Sequence, residues 1–379
     1  MNLNYTKILK MRGEKSQPDW KEFKEVILRQ KEPSRVPLFE LHIDKEVVRY
    51  FVENLLVREW VEPTLAKERR DQEAVLQNNI LVWHQLGYDY LRLTADFRFS
   101  ASLSFASRSR AAQDTANLSR GTRKWAEEGK GAITTREDFE KFPWPSLEEV
   151  DPWPFEFLSK NLPSGMGFFA TFSQGIFEIL TNELLGLESL GYLIYDNLEL
   201  VEAVTDKVGE LIYGCYRKVL GLDNLLGFVQ GDDMGFKTAT LVSPQFLRNY
   251  VLPWHKKLAH LAHSHNLLYI LHSCGNLGPI MEDLISEVKI DAKHSFEDAI
   301  MPVAEFKKKY GERIGVLGGV DVNELCRLKE EPLRQYVRKI LDECMPGGGY
   351  ALGTGNSVAN YIPIENYLTM LDEGRRWKR

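Results

Sequence analysis

The chain has 379 residues, 44% of them hydrophobic and 27% charged, with a formal net charge of −6. That balance fits one large globular domain or two ordinary ones with a full core, and it lacks the basic stripe of a nucleic-acid-binding surface. Four cysteines without a C-x-x-C pair exclude a disulfide framework, no apolar run reaches the ~18–20 residues that span a bilayer, and the first residues lack the apolar core of a signal peptide, so a reducing cytoplasm is the expected setting.

Residues 1–34 are polar and read as an N-terminal helical extension, with helical character over 18–30. Residues 35–41 (RVPLFEL) are the first strand candidate and end at His42, Ile43 and Asp44. Helix-period apolar positions follow over 45–56 and 64–86, and Gly87 stops the second run. Residues 88–93 make a second strand, which ends at Asp96. The stretch 97–145 differs, being rich in Ser, Arg, Thr and Gly. It reads as an excursion from the main fold that carries a β-hairpin, or else as a disordered loop. Arg108, Arg110, Arg120 and Arg123 within it are either anion contacts or, on the plainer reading, solvated surface charges.

A helix over 154–161 leads into a third strand, 165–172, ending at Gln174. Helices run to 192 and over 198–220, and a fourth strand, 225–230, ends at Gly231, Asp232 and Asp233. Ser243 followed by Pro244 is an N-cap with proline at the first helical position, opening a helix to about 266. The fifth strand, 267–271, runs directly into His272, Ser273, Cys274, Gly275 and Asn276. A sixth over 287–292 ends at His294, with Glu297 beyond; a seventh over 313–317 precedes Asp321; an eighth over 349–352 runs towards Asn356. Pro363 opens the last helix.

Eight apolar runs alternating with helical patterns predict an α/β protein, a (β/α)8 TIM barrel over 35–379 with an N-terminal helical extension and the 97–145 insertion after strand 2. The rival doubly wound sheet would call for a G-x-G-x-x-G after its first strand, which is missing. A barrel keeps its active site at the carboxyl ends of its strands, where this chain places His42, Asp96, Gln174, Asp232, Asp233, His272, Cys274, His294, Glu297, Asp321 and Asn356. His272 and Cys274, two apart on a strand, point the same way and offer two ligand types that zinc prefers. The bland alternative is a satisfied core histidine beside a buried thiol. Asp232 and Asp233 face opposite ways, so one enters the mouth, where it can serve as acid or base. The plainer alternative for the pair is a helix N-terminus or a solvated loop.

The ordered motifs GDD, SPQFLRNYVLPWHKKL, LHSCGN, GVLGGVD, GGGYALGTGN and IPIENYLTML resemble the uroporphyrinogen decarboxylase superfamily. The resemblance runs from about residue 35 to the end and is strongest after Gly231. That superfamily holds the decarboxylase of haem biosynthesis and the zinc- and corrinoid-linked methyltransferases. The methyltransferase branch binds zinc through a His-x-Cys on strand five and a Cys after strand eight. His272 and Cys274 match the first element, whereas Gly353, Thr354, Gly355 and Asn356 stand where the second Cys would fall. A third ligand would then come from Glu297, His294, Asp232 or Asn356. The decarboxylase branch carries an Arg-rich motif after its first strand; here FELHIDKEVV has no arginine before Arg49, too few fixed cations for a tetrapyrrole's carboxylates.

The resemblance therefore implies a zinc-dependent methyltransferase in the cytoplasm. His272 and Cys274 would hold the metal, and Asp232, Asp233 and Glu297 would do the catalysis. His42, Asp96, Gln174, His294, Asp321 and Asn356 would line the substrate pocket. The methyl group would pass to or from a small thiol or methoxylated substrate, with methylcobalamin brought by a separate corrinoid protein, and the chain would form a homodimer. Two alternatives stand beside it: a cofactor-free decarboxylase of a tetrapyrrole or other carboxylated substrate, and a barrel that binds a tetrapyrrole or corrinoid without turnover.

Overall fold

A computed structural model of the chain describes residues 17–94, 109–126 and 131–378. Its strands are β1 (Tyr90–Thr94), β2 (Ser109–Gln113), β3 (Thr122–Ala126), β4 (Gly167–Thr171), β5 (Leu225–Gly231), β6 (Leu268–His272), β7 (Ala292–His294), β8 (Gly315–Leu317) and β9 (Tyr350–Ala351). Seven of them form one parallel sheet in the order β1-β4-β5-β6-β7-β8-β9, with helices between consecutive strands. This is an α/β fold with a curled parallel sheet, consistent with a TIM-like barrel. β2 and β3 form a separate antiparallel hairpin between β1 and β4 in the chain.

The place of the first expected strand is taken by an extended segment rather than a full ladder. Leu38 bridges Leu352 in parallel, and Phe39 N donates to Leu352 O at 2.8 Å while Leu352 N donates to Pro37 O at 2.8 Å. On the β1 side, among the described residues, side chains make the join. The Tyr90 hydroxyl accepts from Glu40 N at 2.8 Å and donates to Glu40 O at 3.0 Å, and Arg92 Nη1 donates to Leu41 O at 2.8 Å.

β4 and β6 are buried along their whole length, as expected of parallel strands covered by helices. Inward and outward faces alternate along each. Phe168, Phe228 and Tyr269 meet helix residues Phe155, Tyr216 and His255 outside the sheet. Phe39, Tyr90 and Phe169 pack together inside it, with ring centroids 5.0–5.6 Å apart. The helix Trp20–Ile27, N-capped by Asp19, adds Phe23 to this cluster, 5.4 Å from Tyr90. The interior thus has an aromatic layer, and the polar groups of the strand ends stand beyond it.

Two boundaries differ from the sequence reading. The expected sixth strand over 287–292 begins only at Ala292, because Leu284–Val288 complete a helix that ends with Lys289 in the left-handed region. Val288 and Ile290 mimic strand alternation but are buried where that helix meets the core. The helix expected from 64 starts at Arg69, after a turn that follows Pro63. No helix among the described residues is long and apolar enough to cross a membrane.

Candidate metal centre

β5 and β6 run side by side to their carboxyl ends and continue pairing beyond them. Asp232 N donates to His272 O at 2.9 Å, Gly235 N to Cys274 O at 3.2 Å and Asn276 N to Phe236 O at 2.7 Å. This approach is close enough to require glycine. A Cβ on Gly275, whose φ is +81°, would lie 2.3 Å from the Gly235 carbonyl carbon. The result is that the GDDMG and HSCGN segments cross backbone against backbone and deliver their side chains to one place.

Three ligand atoms converge there. The nearest atoms of Asp233, His272 and Cys274 all lie within 4.8 Å of one another. Cys274 Sγ is 3.5 Å from His272 Nε2, and His272 Nε2 is 3.7 Å from Asp233 Oδ1. Zinc–ligand bonds of roughly 2.0–2.3 Å at tetrahedral angles place neighbouring ligand atoms roughly 3.4–3.6 Å apart. The two pairs that share His272 Nε2 therefore already have nearly the spacing a tetrahedral ion needs, and the Cys274–Asp233 pair lies within 4.8 Å. Asp233 also accepts the Cys274 N–H at 2.8 Å, which fixes its carboxylate against the loop.

The tautomer of His272 follows from its neighbours. His294 Nε2 lies 3.1 Å from the Thr354 carbonyl, which can only accept, so that nitrogen carries the hydrogen. His294 Nδ1 is then an acceptor, and His272 Nδ1, 2.8 Å away, must donate to it. What remains on His272 is an unprotonated Nε2 aimed at Cys274 and Asp233. A ligating histidine is held in this way by a hydrogen bond from its other nitrogen. Cys274 Sγ receives two hydrogen bonds, from Ser295 Oγ and from Asn356 Nδ2, each at 3.3 Å.

The electrostatics agree with this donor set. Burial, reinforced by His294 and by the charges of Lys293 and Arg92, holds His272 well below the ordinary imidazole value, so the ring stays neutral. Burial, then the Asp233 charge, pushes the Cys274 thiol up to about 12. Burial raises Asp233 as well. A half-buried carboxylate and thiolate that are costly as bare anions gain from a dication placed between them. These residues fit zinc on donor chemistry, spacing and the fixed tautomer.

The other residues singled out in the sequence fall into different places. Asn356 and His294 join the cluster as supports rather than as ligands, since both ring nitrogens of His294 are engaged. Asp232 does not enter the mouth. It is fully buried on the outer face, accepts from Phe177 N (3.2 Å) and Glu178 N (3.0 Å) at a helix start, and pairs with His255 Nε2 at 2.8 Å. Asp321 caps the helix Val322–Arg327 and accepts from Asp298 N, so its oxygens face away from the centre. Glu297 is exposed beside a small outer pocket of about 60 Å³ shared with Lys293, Phe296 and Phe306. Gln174 is exposed on the loop after β4, and His42 is exposed at the rim, 3.6 Å from Asp44. Asp96 and Arg108 lie outside the described residues. None of the third-ligand candidates named from sequence offers an atom to this group; the third converging atom comes from Asp233.

Sequence reasoning missed Arg92, Glu178 and Glu40. Arg92 reaches into the interior from β1. Glu178 stands behind the GDD turn, where burial and the charges of Asp233 and Asp232 raise its carboxyl to about 8. Glu40 is fully buried, accepting Thr354 N at 2.9 Å and Thr354 Oγ1 at 2.6 Å. A charged residue inside an otherwise apolar strand (YLRLT, PLFEL) was the available signal.

Comparison with known proteins gives two kinds of result. The sequence profile of uroporphyrinogen decarboxylase (URO-D) matches residues 183–377. No curated protein matches the sequence. Among solved structures, a methyltransferase from Methanosarcina mazei superposes with a TM-score of 0.61 at 15% identity, covering 93% of this chain and 97% of that one. A structure from Listeria monocytogenes, provisionally assigned as a vitamin-B12 independent methionine synthase, superposes with a TM-score of 0.49 at 12% identity, covering 91% and 100%.

Proposed function

Because the chain belongs to the uroporphyrinogen decarboxylase family, we propose that it is a zinc-dependent methyltransferase with a (β/α)8 barrel, acting on a small thiol or methoxylated substrate with a corrinoid protein as methyl carrier. One observation carries this reading: the convergence of Asp233, His272 and Cys274 within 4.8 Å, with the His272 lone pair presented by His294. Zinc held there would supply Lewis acidity, lowering the pKa of a thiol or polarising an oxygen. The remaining work belongs to the chain. The His294–Thr354 relay keeps Nε2 of His272 free of a proton. Ser295 and Asn356 steady the sulfur. Asp233 adds the anionic oxygen that replaces the second cysteine of the family's methyltransferase branch.

The test uses free methylcobalamin with 2-mercaptoethanol, and cob(I)alamin with 4-methoxybenzoate, each followed by absorbance at the corrin bands. The wild type should accelerate one of the two reactions, and His272→Ala and Cys274→Ala should not. Equal rates for wild type and both variants in both assays would contradict the reading.

A further inference from the structure

Arg92 stands on β1 on the same inward face as Tyr90. Two of its five N–H groups are used. Nε donates to Thr171 Oγ1 at 3.0 Å and Nη1 to Leu41 O at 2.8 Å, and both acceptors are neutral. Among the described residues no carboxylate pairs with it; the groups that act on its charge are Tyr216 and Tyr90. Arg334, also set into the fold, is by contrast met by Glu330, Asp372 and Glu373. Burial lowers the Arg92 guanidinium to about 10, which leaves it charged at neutral pH. Thr171 Oγ1 in turn donates to Val229 O on β5 at 2.6 Å, and Phe39, packed on Tyr90, lies with its ring 5.1 Å from that of His294, so Arg92 and the metal centre share the inner side of the sheet.

A half-buried cation without a counter-charge is costly, and a chain retains one where a ligand supplies the opposite sign. The metal does not remove the imbalance. A dication on one thiolate, one carboxylate and one neutral imidazole sums to zero, so the charge of Arg92 is left over. Among the described residues three of its N–H groups remain without a partner, both of Nη2 and one of Nη1, and a carboxylate takes two such groups in bidentate fashion.

We propose that Arg92 is a carboxylate-anchoring residue, and that the substrate is a small carboxylic acid held by its anionic end at Arg92 with its reacting end at the Asp233–His272–Cys274 cluster. The charge-balance step rests on the metal reading above; the unpaired guanidinium does not.

Calorimetry with benzoate, 4-methoxybenzoate and the uncharged isostere benzamide tests this on wild type, Arg92→Gln, Arg92→Lys and metal-free His272→Ala. Cobalt(II) absorbance is recorded in parallel as the readout of the metal centre. At least one of the two acids should bind wild type at least 10-fold more tightly than benzamide. Arg92→Gln should abolish that preference while keeping the cobalt–thiolate band, and Arg92→Lys should retain part of it. His272→Ala should lose the band and keep the preference. Failure of the metal reading thus appears as a missing band with carboxylate preference intact. The proposal is overturned if wild type binds neither acid or does not prefer either to benzamide, or if the preference survives in folded Arg92→Gln or disappears in His272→Ala. If Arg92→Gln does not fold, the wild-type series and Arg92→Lys decide, and loss of preference in wild type or a gain in Arg92→Lys sinks it.

Discussion

Two aspartates that are neighbours in sequence have opposite fates, and the contrast explains the site. On the outer face of the sheet, Asp232 meets His255, and His255 Nδ1 lies 2.7 Å from the Tyr269 hydroxyl. All three are buried and their polar atoms find partners within the protein. On the inner face, Asp233 meets His272 and Cys274; donors reach the carboxylate and the sulfur, but the three ligand atoms also converge on one another, and the His272 Nε2 lone pair faces only other acceptors. The residue types on the two faces are nearly the same. A network whose hydrogen-bonding capacity is closed stabilises a fold, whereas one left with converging lone pairs has chemistry still to do. The difference lies in which way a strand residue faces, and successive residues always face opposite ways.

This contrast can be broken from either side. The largest effect is expected inside: His272→Ala or Cys274→Ala should lower zinc affinity on the order of 10²-fold or more, with Cys274→Ala the milder of the two in urea unfolding of the metal-free protein, since His272→Ala also leaves the buried His294 Nδ1 without its donor. The next is outside: Asp232→Asn should cost about 3 kcal/mol of unfolding free energy, since it turns one of the two acceptor oxygens shared by His255 and two helix N–H groups into a donor and removes the charge, while zinc stoichiometry by elemental analysis stays at the wild-type value. A smaller effect sharpens the inner side. His294→Leu removes the acceptor for His272 Nδ1 and should weaken zinc by roughly 10–100-fold, as loss of a histidine's supporting hydrogen bond does.

A pH experiment probes the wall that supports the inner layer. Burial pushes Glu40 up to about 8, with the Thr354 hydrogen bonds opposing. The folded chain therefore keeps a proton that the unfolded chain sheds above 4.5, the ordinary glutamate value. Stability from this group is fully present below 4.5 and is lost as pH rises to about 8, at about 1.4 kcal/mol per pH unit. Denaturant titrations between pH 5 and 8 should show Glu40→Gln gaining on wild type by about that slope; parallel curves would count against it.

Much of this arrangement could be read beforehand. The strand–helix alternation, the His-x-Cys at the end of β6 and the rule that only one of two adjacent aspartates enters the mouth are local patterns, and periodicity exposes them. Which aspartate enters is not local. It depends on Gly175, where a Cβ would lie 2.1 Å from Asp232 Cγ and close the gap through which that side chain reaches its helix. Asp321 looked functional because a helix cap and a catalytic acid both favour aspartate at a strand end. Arg92 and Glu40 escaped notice because single charges within apolar runs show their partners only after the chain has curled. The 287–292 run misled because a helix end and a short strand share an apolar alternation over four residues.

The central claim is that Asp233, His272 and Cys274 form a metal centre, and zinc content per chain in protein purified without a metal-chelating tag tests it most directly. The account predicts one zinc in the wild type and in Asp232→Asn, and little or none in His272→Ala and Cys274→Ala. A wild type without stoichiometric zinc after equilibration with the ion, or zinc that survives in both inner variants, would contradict it.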